Sequence, residues 1–397
     1  MSSASVRKIL HLDLDAFFCA VEEQKDPSLA GKPFAVGGRA DHRGVISTCS
    51  YAARRFGVHS AMPTGQAFKL CPQLILISGF HSDYAAKSRE VMEIVHNLTG
   101  LVEQVSVDEA FMDVTDLQDH IESIAHKLQA EVFEKTGLPC SIGAATNKLV
   151  AKIATDQGKI RNRGNSYPRA ILVVPPGTEE EFLAPLAVKA MWGVGPKMEA
   201  ALKNVGINTI GEITQRPKSE LERCFGKYGG ELFDRARGID NRPVSSAHET
   251  KSMSQETTFA KDVNDLTILR QTLKDLSAHV AYNLRHDGYC ARVVRLKIRW
   301  SDFSTHTRQV SLSQPTDQDG VIYSNIESLF KAIWQHDQPV RLIGVAGADL
   351  IETTHQMSLW ETPTEKERRL LDALDGLRDK YGNGTVKHGH KLLKKTN

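Results

Sequence analysis

The chain first turns apolar at Lys8-Ile9-Leu10-His11-Leu12-Asp13, a run that predicts a buried strand. Phe17 to Gln24 carries helical spacing and predicts the helix after it. Gly37-Gly38 and Arg43-Gly44 mark turns, Val45 to Thr48 predicts a strand, and Tyr51 to Phe56 predicts a helix. Over residues 82–99, Tyr84, Ser88, Val91, Ile94, Val95 and Leu98 recur on one helical face. Val105 and Val107 precede, and Phe111 and Val114 follow, a bare Asp108-Glu109 pair; two short strands are expected there. Ile121 to Glu134 predicts a helix with Ile124, Leu128, Val132 and Phe133 inward. Cys140 to Ala145 reads as a strand, Lys148 to Asp156 as a helix and Ala170 to Val174 as another strand. This order, with a small insert at residues 30–80, predicts an α+β sheet with helices on one face.

Pro175-Pro176-Gly177 marks the next boundary. Met191-Trp192-Gly193-Val194-Gly195-Pro196-Lys197 resembles a helix-hairpin-helix turn. Its glycines permit positive φ, and Pro196 suits the first turn of a helix. Such turns hold phosphate on backbone N–H groups, so Gly193, Val194, Gly195 and Lys197 are candidate DNA contacts. Thr209 and Glu212 form a capping box. Arg237 to about Lys251 is polar and reads as a linker, and Ser252 to Phe259 opens a last domain. Within that domain, Val294, Leu296, Ile298 and Trp300 alternate with Arg295, Lys297 and Arg299. A row of cations on one sheet face, with no acidic row evident nearby, suits DNA phosphates. Helices at 263–286 and 321–335 and a strand at 340–350 complete a small α/β domain.

The 397 residues are enough for two to four domains, and 41% hydrophobic content can fill sizeable cores. The formal net charge is only +2, so local patches must carry any argument for nucleic acid. Six scattered cysteines include no CxxC pair, against a zinc site or a disulfide framework. No apolar run is long enough to span a bilayer and no hydrophobic leader opens the chain. A cytoplasmic protein is expected.

The chemistry lies in the acids. Asp108 and Glu109 sit between two strands, where burial and mutual repulsion would raise their pKa values. A divalent cation removes that cost, and oxygen-only ligands suit Mg²⁺ rather than Zn²⁺. The first strand runs into a second pair, Asp13 and Asp15, and spacing alone leaves open which of them is a ligand. Asp13 with Asp108 and Glu109 would give three carboxylates for two Mg²⁺ ions, the arrangement for in-line phosphoryl transfer. Tyr51 and Arg54 share one helical face and suit a triphosphate, while Arg55 is expected to face elsewhere.

Leu12-Asp13-Leu14-Asp15-Ala16-Phe17-Phe18, Gly44 to Val58, and Ser106-Val107-Asp108-Glu109-Ala110, in this order, resemble the Y-family translesion DNA polymerases of the polymerase IV (DinB) type. The likeness runs from about Lys8 to about Ile351. It implies a right-hand polymerase with a ferredoxin-like palm at 1–29 and 81–174 and small fingers at 30–80. It further implies a helical thumb at 175–240, a linker at 241–251, an α/β little finger at 252–352 and a tail at 353–397. It implies catalysis by Asp13, Asp108 and Glu109 with two Mg²⁺ ions, the backbone of Leu14 adding a metal ligand. Thr48, Tyr51, Arg54 and Lys159 match the triphosphate-binding positions, with Arg161 in reserve because the usual Pro-x-Gly turn after Lys159 is replaced here. Phe17 and Phe18 would border the nucleotide, Phe18 as the steric gate against a 2′-hydroxyl. The implied partners are primer-template DNA, a dNTP and a sliding clamp, the protein acting as a monomer with low fidelity and no proofreading.

Gln356-Met357-Ser358-Leu359-Trp360 resembles a clamp-binding peptide, with Gln356, Leu359 and Trp360 as its anchors. Thr364 and Glu367 cap a further helix whose Leu370, Leu374, Leu377 and Tyr381 line one side before Gly382 ends it. That helix needs a partner. Residues 387–397 are basic. Two rival readings are a nucleotidyl cyclase, which would need a Gly-Gly-acidic hairpin in place of Ser106-Val107, and a non-catalytic repair scaffold, which would be expected to lose the metal ligands.

Overall fold

The computed structural model describes residues 6–162, 164, 166–246, 249–334, 338–353 and 363–381. The chain divides into two compact units, Met1–His248 and Glu249–Asn397.

The first unit is built on a five-stranded sheet in the order Val102–Gln104, Glu109–Asp113, Ile9–Leu14, Cys140–Ala145, Ile171–Val173. The strand Ile9–Leu14 lies at its centre, antiparallel to both neighbours. Residues alternate between faces. Leu10, Leu12 and Leu14 join Ala110, Met112, Ile142 and Ala144 under the helices His81–Leu98 and Ile121–Thr136. Ile9, Phe111 and Ala145 join Leu149, Val150 and Ile153 of the helix Lys148–Arg161 on the other face. The sheet is therefore covered on both faces, not on one as expected from element order. The expected inward position of Phe133 also fails: its ring is 40% exposed, with the Arg169 guanidinium 4.1 Å from its centroid.

A three-stranded sheet, Ile46–Cys49, Phe34–Gly37 and Ile75–Ile77, has a small core of its own around Ala35, Ile46, Cys49 and Met62. The helix expected over Tyr51–Phe56 ends at Arg54. The Ser50 hydroxyl caps its start by accepting from Ala53 N.

Short helices then follow: Glu179–Leu183, Pro196–Asn204, Ile210–Thr214, Lys218–Phe225 and Lys227–Ala236. The capping box of Thr209 and Glu212 is formed. The segment read as a polar linker is pinned over its first part. Asp240 is buried, accepts from Leu149 N and pairs with Arg242, which lies over the Trp192 ring.

The second unit is a four-stranded antiparallel sheet in the order Thr305–Thr316, Tyr289–Trp300, Val340–Glu352, Ser252–Val263. Val294, Leu296, Ile298 and Trp300 are buried under the helices Leu266–His286 and Asp319–Ile333. The helix Pro363–Tyr381 finds its partner inside this unit. Asp375 pairs with the nearly buried Arg285 at 2.6 Å, and Asp379 accepts from Tyr282. Leu370, Leu377 and Tyr381 stay exposed. Gly382 and residues 387–397 lie outside the described residues.

Candidate active site

Strand register gathers the acids. Asp13 stands directly opposite Glu109, and Leu14 N donates to Asp108 O at 2.9 Å, tying the two acidic strand ends together. The Leu14 side chain is core. Asp15 turns away. Its N–H donates to Pro139 O, and Ala16 takes a left-handed φ of 45° at the entry to the helix Phe17–Lys25. A non-glycine residue in that region marks a turn held by its surroundings. Asp15 is fully buried and accepts from Ser141 Oγ at 2.9 Å and from Arg169 N at 2.9 Å. Asp13 keeps part of its carboxylate accessible. The two acids of the pair thus have different surroundings: Asp13 stands beside Glu109 with 18% of its side chain exposed, and Asp15 is enclosed by Ser141 and Arg169.

The helix Lys148–Arg161 lays one polar face across these strands. Lys148 Nζ donates to Glu103 at 2.7 Å, Lys152 Nζ to Glu109 at 2.7 Å, and Thr155 meets His11 at 2.9 Å. Lys159 Nζ meets Asp13 at 2.5 Å and Asp15 at 3.4 Å. Of these four only Lys159 was legible from the family pattern. The signal for the others was the recurrence of Lys148, Lys152, Thr155 and Lys159 at helical spacing, beside the apolar Leu149, Val150 and Ile153.

The electrostatics follow from crowding. Burial pushes the Asp108 carboxyl up against a hydrogen bond from Ser106, and the charges of Asp13 and Glu109 push it further. Glu109 is held down at about 2 by the His11 imidazole, against its burial, with Lys152 adding to the effect. Burial would lower Lys159, but Asp13 and Asp15 outweigh it and keep the ammonium charged. Like charges facing each other across strands are unfavourable, and here lysine ammoniums supply the counter-charge. Among the described residues no three acid, imidazole or thiol groups already surround one point. The donor set is nonetheless all oxygen and carries excess negative charge on three adjacent carboxylates, which fits a hard divalent cation in kind and number.

A cavity of about 580 Å³ opens beside the acids, lined by Tyr51, Arg54, Arg55, Asp156, Lys159, Ile160 and Gly164. Arg55 therefore shares the cavity instead of facing elsewhere. Arg54 lies 4.5 Å above the Tyr51 ring, and Tyr51 is buried enough to raise its hydroxyl to about 12. Thr48 is half-buried on the strand before them, and Arg161 is exposed at the helix end. Phe17 is core, 1% exposed. Phe18 is half-buried and stacks on Tyr84 with centroids 4.0 Å apart. Tyr84 in turn donates to Glu22 at 2.8 Å.

Away from the acids, Gly193 takes φ +95° and Pro196 opens its helix. Gly193, Gly195 and Lys197 are exposed. Val194 departs from expectation: its side chain is core and its N–H donates to Met191 O. The cationic row of the second unit is also less free than its alternation suggested. Lys297 is paired with Glu256 at 2.9 Å, while Arg295 and Arg299 hydrogen-bond Gln309 and Thr305. Gln356, Leu359 and Trp360 lie outside the described residues.

Residues 12–156 match the impB/mucB/samB family, residues 250–359 that family's C-terminal domain, and residues 189–240 the thumb domain of DNA polymerase-iota. The chain is 41% identical over 390 residues to a DNA polymerase IV of Dehalococcoides mccartyi, with 97% of each chain covered. It is 39% identical over 385 residues to a DNA polymerase IV of Desulfatibacillum aliphaticivorans, with 95% of each covered. It is 41% identical over 345 residues to one of Methanoculleus marisnigri, covering 85% of this chain and 93% of the relative. Among solved structures, a Y-family DNA polymerase chimera of Dbh and Dpo4 shares the fold, with TM-score 0.75 and 24% identity over 87% of this chain and all of that one. Both the paired acids on their hairpin and the near-full-length relatives lead to one assignment: the chain belongs to the Y-family DNA polymerases of the impB/mucB/samB family.

Proposed function

We propose that Asp13, Asp108 and Glu109 are the catalytic carboxylates of a DNA-directed DNA polymerase that performs translesion synthesis. They would hold two Mg²⁺ ions, with one oxygen from the Leu14 backbone. Ions bound there would activate the primer 3′-hydroxyl and neutralise charge on the departing phosphates. Arg54, Tyr51 and Lys159 bind and orient the triphosphate in the adjoining cavity, Thr48 serving as a further contact. Lys159 stays charged throughout, so it offers a fixed counter-charge to a phosphate oxygen. Phe18 limits the volume beside the sugar. Gly193, Gly195 and Lys197 supply backbone and cationic contacts to DNA phosphates, and Arg295 and Arg299 supply more, with Lys297 joining once it leaves Glu256.

The observation that carries this reading is the register of Asp13 against Glu109, with Asp108 tied beside them, next to a cavity lined by Arg54 and Lys159. The test is primer extension by Asp108→Ala alongside primer-template binding. Nucleotide addition is expected to vanish while DNA affinity changes little. Extension near the wild-type rate would refute the assignment.

Gln356, Leu359 and Trp360 are proposed to dock on a sliding clamp, their large side chains giving anchoring area without chemistry. Replacing Leu359 and Trp360 together with Ala should leave unassisted synthesis unchanged and remove stimulation by a loaded clamp. Equal stimulation of both proteins would sink this assignment.

A further inference from the structure

His11 occupies the centre of the central strand and is fully buried. Its two register partners are Phe111 and Gly143. The Phe111 ring packs against it with centroids 4.6 Å apart. Gly143 matters through what it lacks. A Cβ there would lie 2.0 Å from Ala151 O and 2.6 Å from Thr155 Oγ1. Only a glycine lets the helix Lys148–Arg161 come down far enough for Thr155 to reach the imidazole.

Thr155 Oγ1 lies 2.9 Å from His11 Nδ1, 3.0 Å from His11 O and 3.1 Å from Ala151 O. Its one proton can serve one of these acceptors. The two carbonyls belong to a paired strand and a helix, which already provide backbone donors. Among the described residues the Nδ1 lone pair has no other donor. With the hydroxyl proton on Nδ1, the ring proton sits on Nε2. Nε2 is a buried polar atom with no hydrogen bond completed, and it lies 3.4 Å from Glu109 Oε2. The opposite tautomer would set a bare lone pair against a carboxylate.

We propose that His11, held in the Nε2–H tautomer by Thr155, is a positioning residue that aims the Glu109 carboxylate toward the metal. This rests on Glu109 being a metal ligand. His11 is fully buried, so it would act on the metal only through Glu109. It fixes one Glu109 oxygen from behind and leaves the other to the cation, the task that outer partners of metal ligands perform. The chain is Thr155 O–H to Nδ1, then Nε2–H to Glu109 Oε2, with no proton transferred.

The test is Mn²⁺ binding to the full-length protein, followed by electron paramagnetic resonance of free Mn²⁺, together with the Mg²⁺ concentration that half-saturates primer extension. His11→Leu removes both nitrogens, and Thr155→Val removes only the hydroxyl. Both should weaken Mn²⁺ binding about 10- to 100-fold and raise the Mg²⁺ requirement without a matching change in the KM for dNTP. His11→Gln places an amide donor near Nε2 and should recover most of the loss. Wild-type Mn²⁺ affinity in His11→Leu or in Thr155→Val overturns the proposal, as does a Gln variant no better than Leu. If His11→Leu does not fold, Thr155→Val and His11→Gln decide by the same criteria. Glu109→Gln separates the two levels. If it loses Mn²⁺ while the His11 and Thr155 variants do not, the metal site stands and the positioning role falls; if it keeps full affinity, both fall.

Discussion

Two adjacent phenylalanines offer a sharp test, because the structure gives them different surroundings. Phe17 is 1% exposed and belongs to the main core with Leu10, Leu14 and Tyr84. Phe18 is half-buried, stacked flat on Tyr84 and met edge-on by His81 at 6.2 Å. Truncating a buried Phe costs about 3–5 kcal/mol. Phe17→Ala should therefore lower the melting temperature of the first unit by about 6–20 °C, at roughly 2–4 °C per kcal/mol for a unit of this size. Phe18→Ala loses a stacked pair and partial burial, about 1–2 kcal/mol and roughly 2–8 °C. The functional ordering is the reverse. Opening the Phe18 volume should raise ribonucleotide incorporation relative to dNTP by on the order of a hundredfold, the scale that a few kcal/mol of lost exclusion implies. Residual activity of Phe17→Ala should keep its sugar preference. The assay is single-nucleotide primer extension with matched dNTP and rNTP, beside thermal melts of each variant. A folded Phe18→Ala that still rejects ribonucleotides like the wild type would refute the gate assignment, and altered preference in Phe17→Ala would move it there.

Gly143→Ala should destabilise the first unit by about 1–3 kcal/mol, because the new Cβ meets backbone atoms of Ala151 and Thr155 that can retreat only with their helix; wild-type stability in chemical denaturation would contradict the close approach. Burial would raise the Asp240 carboxyl, but Arg242 overcomes it and holds the group below the ordinary carboxylate range. A lowered folded value makes this contribution full above the unfolded value and lost as pH falls through the folded one. The melting-temperature gap between wild type and Asp240→Asn, about 1–3 kcal/mol in stability at neutral pH, should therefore close on acidification below about pH 4, and a gap that widens there would refute the pairing.

The sequence alone determined the strands Ile9–Leu14 and Glu109–Asp113 that hold Asp13 and Glu109, the alternation of cations and core residues along Tyr289–Trp300, the capping box at Thr209 and the identity of the candidate carboxylates, whereas Val105 and Val107, read as strand, lie exposed beyond the end of Val102–Gln104. These are local properties: periodicity, turn residues and bare charges in apolar runs are written in consecutive positions. The tertiary structure decided what depends on neighbours far along the chain. Asp13 and Asp15 have the same spacing relation to their strand, and only the turn at Ala16 and the partners Ser141 and Arg169 bury Asp15 while Asp13 stays beside Glu109. Lys297 looked free because Glu256, its partner, lies 41 residues away on another strand. Phe133 fitted a helical face, yet the face it joins ends under Arg169. His11 read as one polar residue in an apolar strand. Its meeting with Thr155, 144 residues on, requires Gly143 to let a helix settle onto the sheet, and no spacing along the chain encodes that packing distance.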